Sequence, residues 1–196
     1  MRQFLVAALM LATAFAAQGV AIAAPAPVPL PRDSIYQLDA ALTDQGGRRL
    51  ALADKRGRAQ VVVMFYTSCQ FICPTIIDTL LDLDGRLTPA ERAQMGVLMI
   101  SLDPKRDDAS ALKATAEKRQ LDLTRWTLAQ PRPADVRALA GVLGVRYRPL
   151  ADGDINHTGV LVLLDAEGRI VARSSKTSGH VDPKFLAQIR TALVSP

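Results

Sequence analysis

The two cysteines of the chain, Cys69 and Cys73, are four residues apart in the segment Val61 to Thr75, which reads VVVMFYTSCQFICPT. The run from Val61 to Phe65 is continuously apolar, as in a strand buried on both faces of a sheet. If Cys69 lies in the loop after this strand and Cys73 in the first turn of a helix, their Cβ atoms are about 5 to 6 Å apart. This spacing permits a disulfide or a shared metal ion.

A helix N-terminus favours both uses of the pair. Its partial positive charge favours thiolate over thiol, and thiolate is the form that binds metals and attacks disulfides. Pro74 suits the first helical turn, where its missing N–H costs little. A structural disulfide that closes so short a loop would restrain the unfolded chain little, so the spacing favours chemistry over a structural bridge.

The N-terminus predicts export. Arg2 precedes a long apolar run that ends in small residues in the A-x-A arrangement of a signal peptidase site. We predict a signal peptide or membrane anchor over 1–24, a proline-rich tether over 25–33 and a folded domain over 34–196. The domain is then exported, either periplasmic or anchored at the outer face of the inner membrane through an uncleaved N-terminal segment.

Composition limits the remaining classes of function. With 196 residues, of which 49% are hydrophobic and 22% charged, the chain suits one well-buried domain. The net charge of +5 comes from lysines and arginines that are scattered among acids. Nucleic-acid binding is disfavoured, because its usual sign is a clustered basic surface.

Hydrophobic periodicity predicts alternating strands and helices around the cysteine segment. The other predicted elements are a hairpin over 36–52, a helix over 75–87, a short helical turn from Thr88, a strand over 97–102, a helix over 109–119, a strand over 126–129, a helix over 136–142, a hairpin over 159–173 and a helix over 183–193. This order predicts an α/β fold that resembles thioredoxin, with a central mixed sheet flanked by helices and an N-terminal β-hairpin.

Histidine is scarce, and the two candidates differ in context. His157 lies in a polar turn directly before the buried run 159–165, so it can approach the cysteine loop at one edge of the sheet. His180 lies in what reads as a solvated loop. If an imidazole joins the two thiolates, the set suits copper as Cu(I) or Cu(II), whereas a structural zinc would want a fourth ligand.

Three segments together resemble the SCO/SenC family: 65–75 with its Cys-x-x-x-Cys-Pro motif, the Asp-Pro-Lys-Arg-Asp run at 103–107, and Asn-His-Thr at 156–158. The resemblance extends in order from about Gln37 to Leu193. The family comprises thioredoxin-like copper-binding proteins that help assemble the copper centre of cytochrome c oxidase. The resemblance implies that both cysteines and His157 are copper ligands.

The resemblance implies an exported chaperone that holds one copper through Cys69, Cys73 and His157 and delivers it to a respiratory oxidase. The implied partner is the copper-acceptor subunit of that oxidase, with periplasmic copper chaperones or thiol reductants as further partners. The alternative is a thiol-disulfide oxidoreductase that reduces the acceptor's cysteines, with Cys69 attacking and Cys73 resolving. A peroxidase of the peroxiredoxin type is disfavoured, because Thr67 is too close to Cys69 in sequence.

The chain departs from the family pattern at two places. Gln70 and Phe71 stand between the cysteines where Pro-Asp is common, and Asn156 stands before the histidine where an acid is common. Fewer acids leave less negative charge to hold a cation, and Phe71 adds apolar surface for a partner. Either Asp107 or Asp108 can cap the helix that follows. For the 103–107 run we favour a structural role, with Asp107 as a helix cap and Arg106 as its ion-pair partner.

Overall fold

The computed structural model describes residues 29–194. The predicted signal peptide or anchor at 1–24 and the first part of the tether lie outside the described residues, so these boundaries stay predictions. Among the helices of the described part, none has the length and hydropathy that a membrane span requires.

The strands of the described residues form a large mixed sheet and a small second sheet. Their bounds are β1 (Ala41–Asp44), β2 (Arg49–Ala51), β3 (Ala59–Phe65), β4 (Met95–Ser101), β5 (Trp126–Pro131), β6 (Tyr147–Pro149), β7 (Ile155–His157), β8 (Leu161–Leu164) and β9 (Ile170–Ser174). The large sheet has the order β2-β1-β5-β4-β3-β8-β9. Its central pairs, β3 with β4 and β4 with β5, are parallel, and its other neighbours are antiparallel. The second sheet is the antiparallel pair β6 and β7.

The helices cover both faces of the large sheet. Their bounds are α1 (Ile72–Arg86), α2 (Pro89–Ala93), α3 (Ala109–Lys118), α4 (Val136–Leu143) and α5 (Pro183–Val194). Helices α1, α3 and α5 contribute to one core cluster, and α4 contributes to the other together with the 3₁₀ turn at Ile35–Gln37. Strand β3 supplies both clusters, with Val61 and Val63 on the first face and Val62 and Met64 on the second. The alternation follows from the two-residue period of a strand, and it explains why every residue of β3 is buried.

The predicted α/β fold with a mixed sheet and an N-terminal hairpin is confirmed. The hairpin is shorter than predicted, because the 3₁₀ turn at Ile35–Gln37 takes up its first residues. The short helical turn is α2, where Thr88 and Glu91 form a capping box.

Three features refine or depart from the sequence-based expectation. Of the two candidate caps, Asp108 caps α3, since its carboxylate accepts a hydrogen bond from the Ala111 N–H at 2.8 Å. Arg106 pairs with Asp103 rather than with Asp107. The β6–β7 pair was not predicted, because its short strands are mostly exposed and lack the alternating pattern that marks a half-buried strand.

Candidate metal centre

The cysteine loop, defined as residues 66–73, joins the end of β3 to the start of α1. Cys69 lies within the loop and Cys73 is the second residue of α1, as the sequence predicts. The backbone N–H of Cys73 donates to the Cys69 sulfur at 3.4 Å, so the first turn of the helix offers a donor to the preceding thiolate. Both sulfurs are buried.

The third donor comes from the histidine hairpin, defined as residues 147–157, in which His157 is the last residue of β7 and pairs with Tyr147. The imidazole is 7% exposed, and its Nε2 lies 3.3 Å from the Cys73 sulfur. Its Nδ1 lies 3.3 Å from the carbonyl oxygen of Thr158. A proton on Nδ1 donates to that carbonyl and leaves the lone pair of Nε2 directed at the sulfurs, which is the tautomer that a metal ligand needs.

The structure brings these three residues together. One donor atom each of Cys69, Cys73 and His157 lies within 4.8 Å of the others, and all three residues are buried. Three ligands at about 2.2 Å around one ion are roughly 4 Å apart, so the set can close on a metal with small movements. Two sulfurs and one imidazole are the donors that soft and borderline metals prefer.

His180 does not join this cluster. Its side chain is 81% exposed, and its Nδ1 lies 3.5 Å from the carboxylate of Asp82 on α1. The solvated loop predicted for His180 is therefore where the residue lies.

The hydrogen bond between the two cysteines shifts their pKa values in opposite directions. The pKa of Cys69 is lowered, mainly by the hydrogen bond from the Cys73 thiol and further by the N–H groups of Cys73 and Phe71, against the opposing effect of burial. The pKa of Cys73 is raised by the same bond to Cys69 and by its own burial. At neutral pH the pair thus presents a thiolate at Cys69 and a thiol at Cys73.

Tyr66, for which the sequence by itself predicts no separate role, connects the cysteine loop to the histidine hairpin. Its hydroxyl oxygen accepts a hydrogen bond from the Ile155 N–H at 3.3 Å, and the edge of its ring meets the ring of His157 at a centroid distance of 5.7 Å. Burial, together with the contact to Cys69, raises its pKa to about 12. The available signal was its position directly after a buried strand, where side chains gather at the sheet edge.

Asp107 holds the other side of the cysteine loop. This carboxylate is fully buried and accepts hydrogen bonds from the Thr67 N–H at 3.2 Å, the Thr67 hydroxyl at 2.5 Å and the Ser101 hydroxyl at 2.6 Å. Burial raises its pKa. The sequence leaves the cap open between Asp107 and Asp108, because a cap and a buried acceptor look alike in a run of two aspartates.

Phe71 gives the surface beside the cysteines an apolar character, since its side chain is 79% exposed. A cavity of about 120 Å³ is lined in part by both cysteines. Its lining residues are Phe65, Tyr66, Thr67, Cys69, Cys73, Pro74, Ile77, Thr115, Lys118 and Arg119. A larger groove of about 1180 Å³ lies between α5 and the β8–β9 turn and contains none of the three candidate ligands.

Comparison with known proteins identifies relatives of this chain. The model of the SCO1/SenC family matches residues 32–193. A protein of Stutzerimonas stutzeri is 28% identical over 146 residues, which are 72% of this chain and 69% of the relative. The "SCO1 protein homolog" of Bacillus subtilis is 23% identical over 131 residues, which are 65% of this chain and 67% of the relative.

Solved structures share the fold. The copper-bound ScoI of Bradyrhizobium japonicum superimposes with a TM-score of 0.60 at 22% identity and covers 78% of this chain and 96% of that one. The copper-bound ScoI of Arabidopsis thaliana gives a TM-score of 0.65 at 18% identity, covering 77% and 96%. The predicted thioredoxin-like fold is confirmed by these likenesses. Because the family match spans nearly all of the described residues and includes both ligand-bearing segments, the chain belongs to the SCO1/SenC family.

Proposed function

We propose that this protein binds one copper ion as cargo through Cys69, Cys73 and His157 and delivers it to the copper centre of a respiratory oxidase. The observation that carries the proposal is the convergence of these three donors within 4.8 Å in a buried site. The donor set fits copper, because thiolates select Cu(I) and the imidazole keeps Cu(II) acceptable. Two solved relatives, ScoI of Arabidopsis thaliana and ScoI of Bradyrhizobium japonicum, are described with copper bound.

The three proposed ligands have different roles in copper binding. Cys69 is the first contact, because its lowered pKa makes it a thiolate before any metal arrives. Cys73 must release a proton to become a ligand, since its pKa is raised. His157 already presents Nε2 toward the sulfurs. Three donors leave coordination positions open for an incoming ligand from an acceptor, which is what transfer requires.

Delivery and location extend this proposal beyond the site. The acceptor is the copper-binding subunit of a terminal oxidase, and other copper chaperones or thiol reductants of the same compartment are further partners. Exposed Phe71 provides apolar contact area beside the sulfurs for such a partner. We place the domain outside the cytoplasm, periplasmic or anchored at the membrane through residues 1–24; a relative from Bacillus anthracis is described as a lipoprotein.

A second function, thiol-disulfide exchange, is supported by the unequal pKa shifts of the two cysteines. The Cys69 thiolate attacks a partner disulfide, forms a mixed disulfide and releases one partner thiolate. Cys73 then loses its proton and attacks the Cys69 sulfur, which releases the second partner thiol. The balance is one Cys69–Cys73 disulfide formed and two electrons transferred to the partner.

The test of copper binding is metal stoichiometry by elemental analysis of the reduced protein after anaerobic loading and desalting. We expect one copper per chain in the wild type and in His180→Ala, which removes an exposed imidazole outside the cluster. Cys69→Ser, Cys73→Ser and His157→Ala should each lose it. Full retention of copper in any of these three would contradict the ligand set, and no copper in the wild type would favour thiol-disulfide exchange as the main function.

A further inference from the structure

The segment 103–107, here called the bridge, lies between the two parts of the chain that supply the donors. It follows β4, and β4 is the parallel neighbour of β3 with Ser101 opposite Phe65. Parallel neighbours end at the same sheet edge, so the bridge leaves the sheet beside the cysteine loop. The Leu102 N–H donates to the Phe65 carbonyl at 2.7 Å, which extends this pairing one residue past the strands.

One end of the bridge is attached to the cysteine loop. The two oxygens of Asp107 accept from the backbone and hydroxyl of Thr67, two residues before Cys69. The Ser101 hydroxyl donates to the same carboxylate and accepts from the Asp103 N–H at 2.8 Å. A fully buried carboxylate with these donors fixes the loop backbone, because leaving any of them unpaired would be costly.

Arg106, the residue directly before Asp107, attaches the bridge to the histidine hairpin. Arg106 donates from Nη2 to the Gly153 carbonyl oxygen at 2.6 Å, and its Nε pairs with Asp103. Gly153 has φ of 86°, a left-handed conformation that glycine tolerates, and this turn directs its carbonyl toward Arg106. Asp103 thus orients a guanidinium whose second contact holds the turn four residues before His157.

We propose that Arg106 and Asp107 are positioning residues that fix the separation of the histidine hairpin from the cysteine loop and thereby set the affinity of the three-donor site for Cu(I). This inference rests on the proposed copper binding. Neither residue touches the donors. Both act by restricting the two segments to positions in which the donors converge, so less order has to be imposed when the metal binds.

Arg106→Ala gives a test in which charge and positioning predict opposite results. Removal of a nearby positive charge by itself favours a bound cation. Loss of positioning weakens the binding of Cu(I). We expect the dissociation constant to rise about tenfold, which is the lower limit of the effect usual for residues that support metal ligands. The measurement is competition of the reduced full chain with a chromophoric Cu(I) chelator under anaerobic conditions.

Arg132→Ala is the matched control. Arg132 also pairs with an acid three residues away, Asp135, and also donates from Nη2 to a remote carbonyl, that of Asp39 at 3.0 Å. It is 53% exposed against 47% for Arg106, and it lies outside the site. We expect it to leave the Cu(I) affinity within twofold of wild type. An Arg106→Ala affinity equal to that of the control, or higher, would overturn the proposal.

A readout without metal separates this proposal from copper binding itself. In the reduced, metal-free protein, the ring contact of Tyr66 with His157 joins the two segments and should give a nuclear Overhauser effect. We expect Arg106→Ala to weaken it at least twofold relative to Arg132→Ala. If the wild type binds no Cu(I) but the effect still weakens, copper binding fails and the positioning role survives; an unchanged effect refutes the positioning role.

The Asp107 end is tested with the reduction potential of the Cys69–Cys73 couple. Asp107→Asn replaces an acceptor oxygen by a donor facing Thr67 and Ser101, so we expect both the potential and the Cu(I) affinity to change. Arg106→Ala should change the affinity alone. Asp44→Asn, at a buried carboxylate of the β1–β2 turn, controls for loss of a buried acid. An unchanged potential and affinity in folded Asp107→Asn would contradict its role.

Discussion

The cysteine loop and the histidine hairpin supply the same site but are held in place differently. The cysteine loop lies between β3, whose residues are all buried, and α1, whose inner face packs in the core. The histidine hairpin consists of two short strands in which His157 is the buried residue and Arg148 and Pro149 are exposed. The cysteines thus adjoin fully buried elements, whereas the histidine hairpin contacts the core through Tyr147 and Ile155 and is further held by hydrogen bonds.

Those hydrogen bonds come from residues far apart in the chain. Tyr66 accepts from Ile155, Arg106 donates to Gly153, and the Thr158 hydroxyl accepts from the Arg146 N–H at 3.0 Å. Segments with little buried apolar surface open more readily than core elements. On this comparison we expect the dithiol to be the more rigid part of the site and the imidazole the more adjustable part.

The largest expected effect distinguishes the redox chemistry of the cysteine pair from the metal binding by His157. Cys73→Ser should abolish the dithiol-disulfide cycle, whereas His157→Ala should preserve it and shift its potential by less than about 30 mV. Both substitutions should lower the affinity for Cu(I) at least about 100-fold, because even residues that only support a ligand contribute tenfold to 100-fold to metal affinity. Equilibration with glutathione redox buffers, followed by thiol alkylation, measures the cycle. Loss of cycling in His157→Ala would show that the two parts are not separable.

A smaller effect is expected where the chain after the hairpin passes the start of α1. A Cβ at Gly159 would lie 2.7 Å from the Thr177 hydroxyl oxygen and 3.1 Å from Cδ1 of Ile72. Gly159→Ala should therefore destabilise the fold by about 1 kcal/mol, since both neighbours are side chains that can rotate. Thermal unfolding should show a fall in Tm of about 2–4 °C.

Gly141→Ala is the control for that substitution. Nothing lies within 4 Å of the added Cβ in the interior of α4, so we expect a stabilisation of about 0.5 to 1 kcal/mol. If Gly159→Ala is as stable as the wild type, the hairpin tolerates displacement more easily than the close contacts suggest.

The smallest effect concerns Asp82, which lies outside both parts and binds the exposed His180 region to α1. Its carboxylate pairs with Arg86 at 2.8 Å and accepts from the Val181 N–H at 2.9 Å, and the Arg86 hydrogen bond leads the causes that lower its pKa to about 2. A lowered folded-state pKa gives stability that is present above the unfolded value of 3.8 and is lost as pH falls toward about 2.

Asp82→Asn should therefore cost less than about 1 kcal/mol at neutral pH, as is usual for solvent-screened pairs, and the difference from wild type should shrink between about pH 4 and pH 2. Urea unfolding at several pH values measures it. Cu(I) affinity should not change. A difference from wild type that grows on acidification would show that the sign of the Asp82 contribution is wrong.

Much of the fold and half of the site follow from local sequence. Three of its features depend on neighbours within a few residues: the apolar run before Cys69, the helix start near Cys73 and the capping box at Thr88. Such features can be predicted, because local residue patterns determine local backbone structure. The α/β order also follows, because alternating periodicities identify strands and helices. The short, exposed β6–β7 pair lacks such a pattern and was missed.

What the sequence by itself determined was therefore the dithiol: two sulfurs four residues apart at a strand-to-helix junction. Only the tertiary structure decided that His157, 84 residues beyond Cys73, meets the sulfurs. It also decided that Asp107 is a buried acceptor for the cysteine loop and Asp108 the helix cap. The physical reason is the distance along the sequence over which a pattern acts. Local patterns fix contacts within one turn or strand. The meeting of distant segments depends on sheet order and on hydrogen bonds that no local pattern encodes.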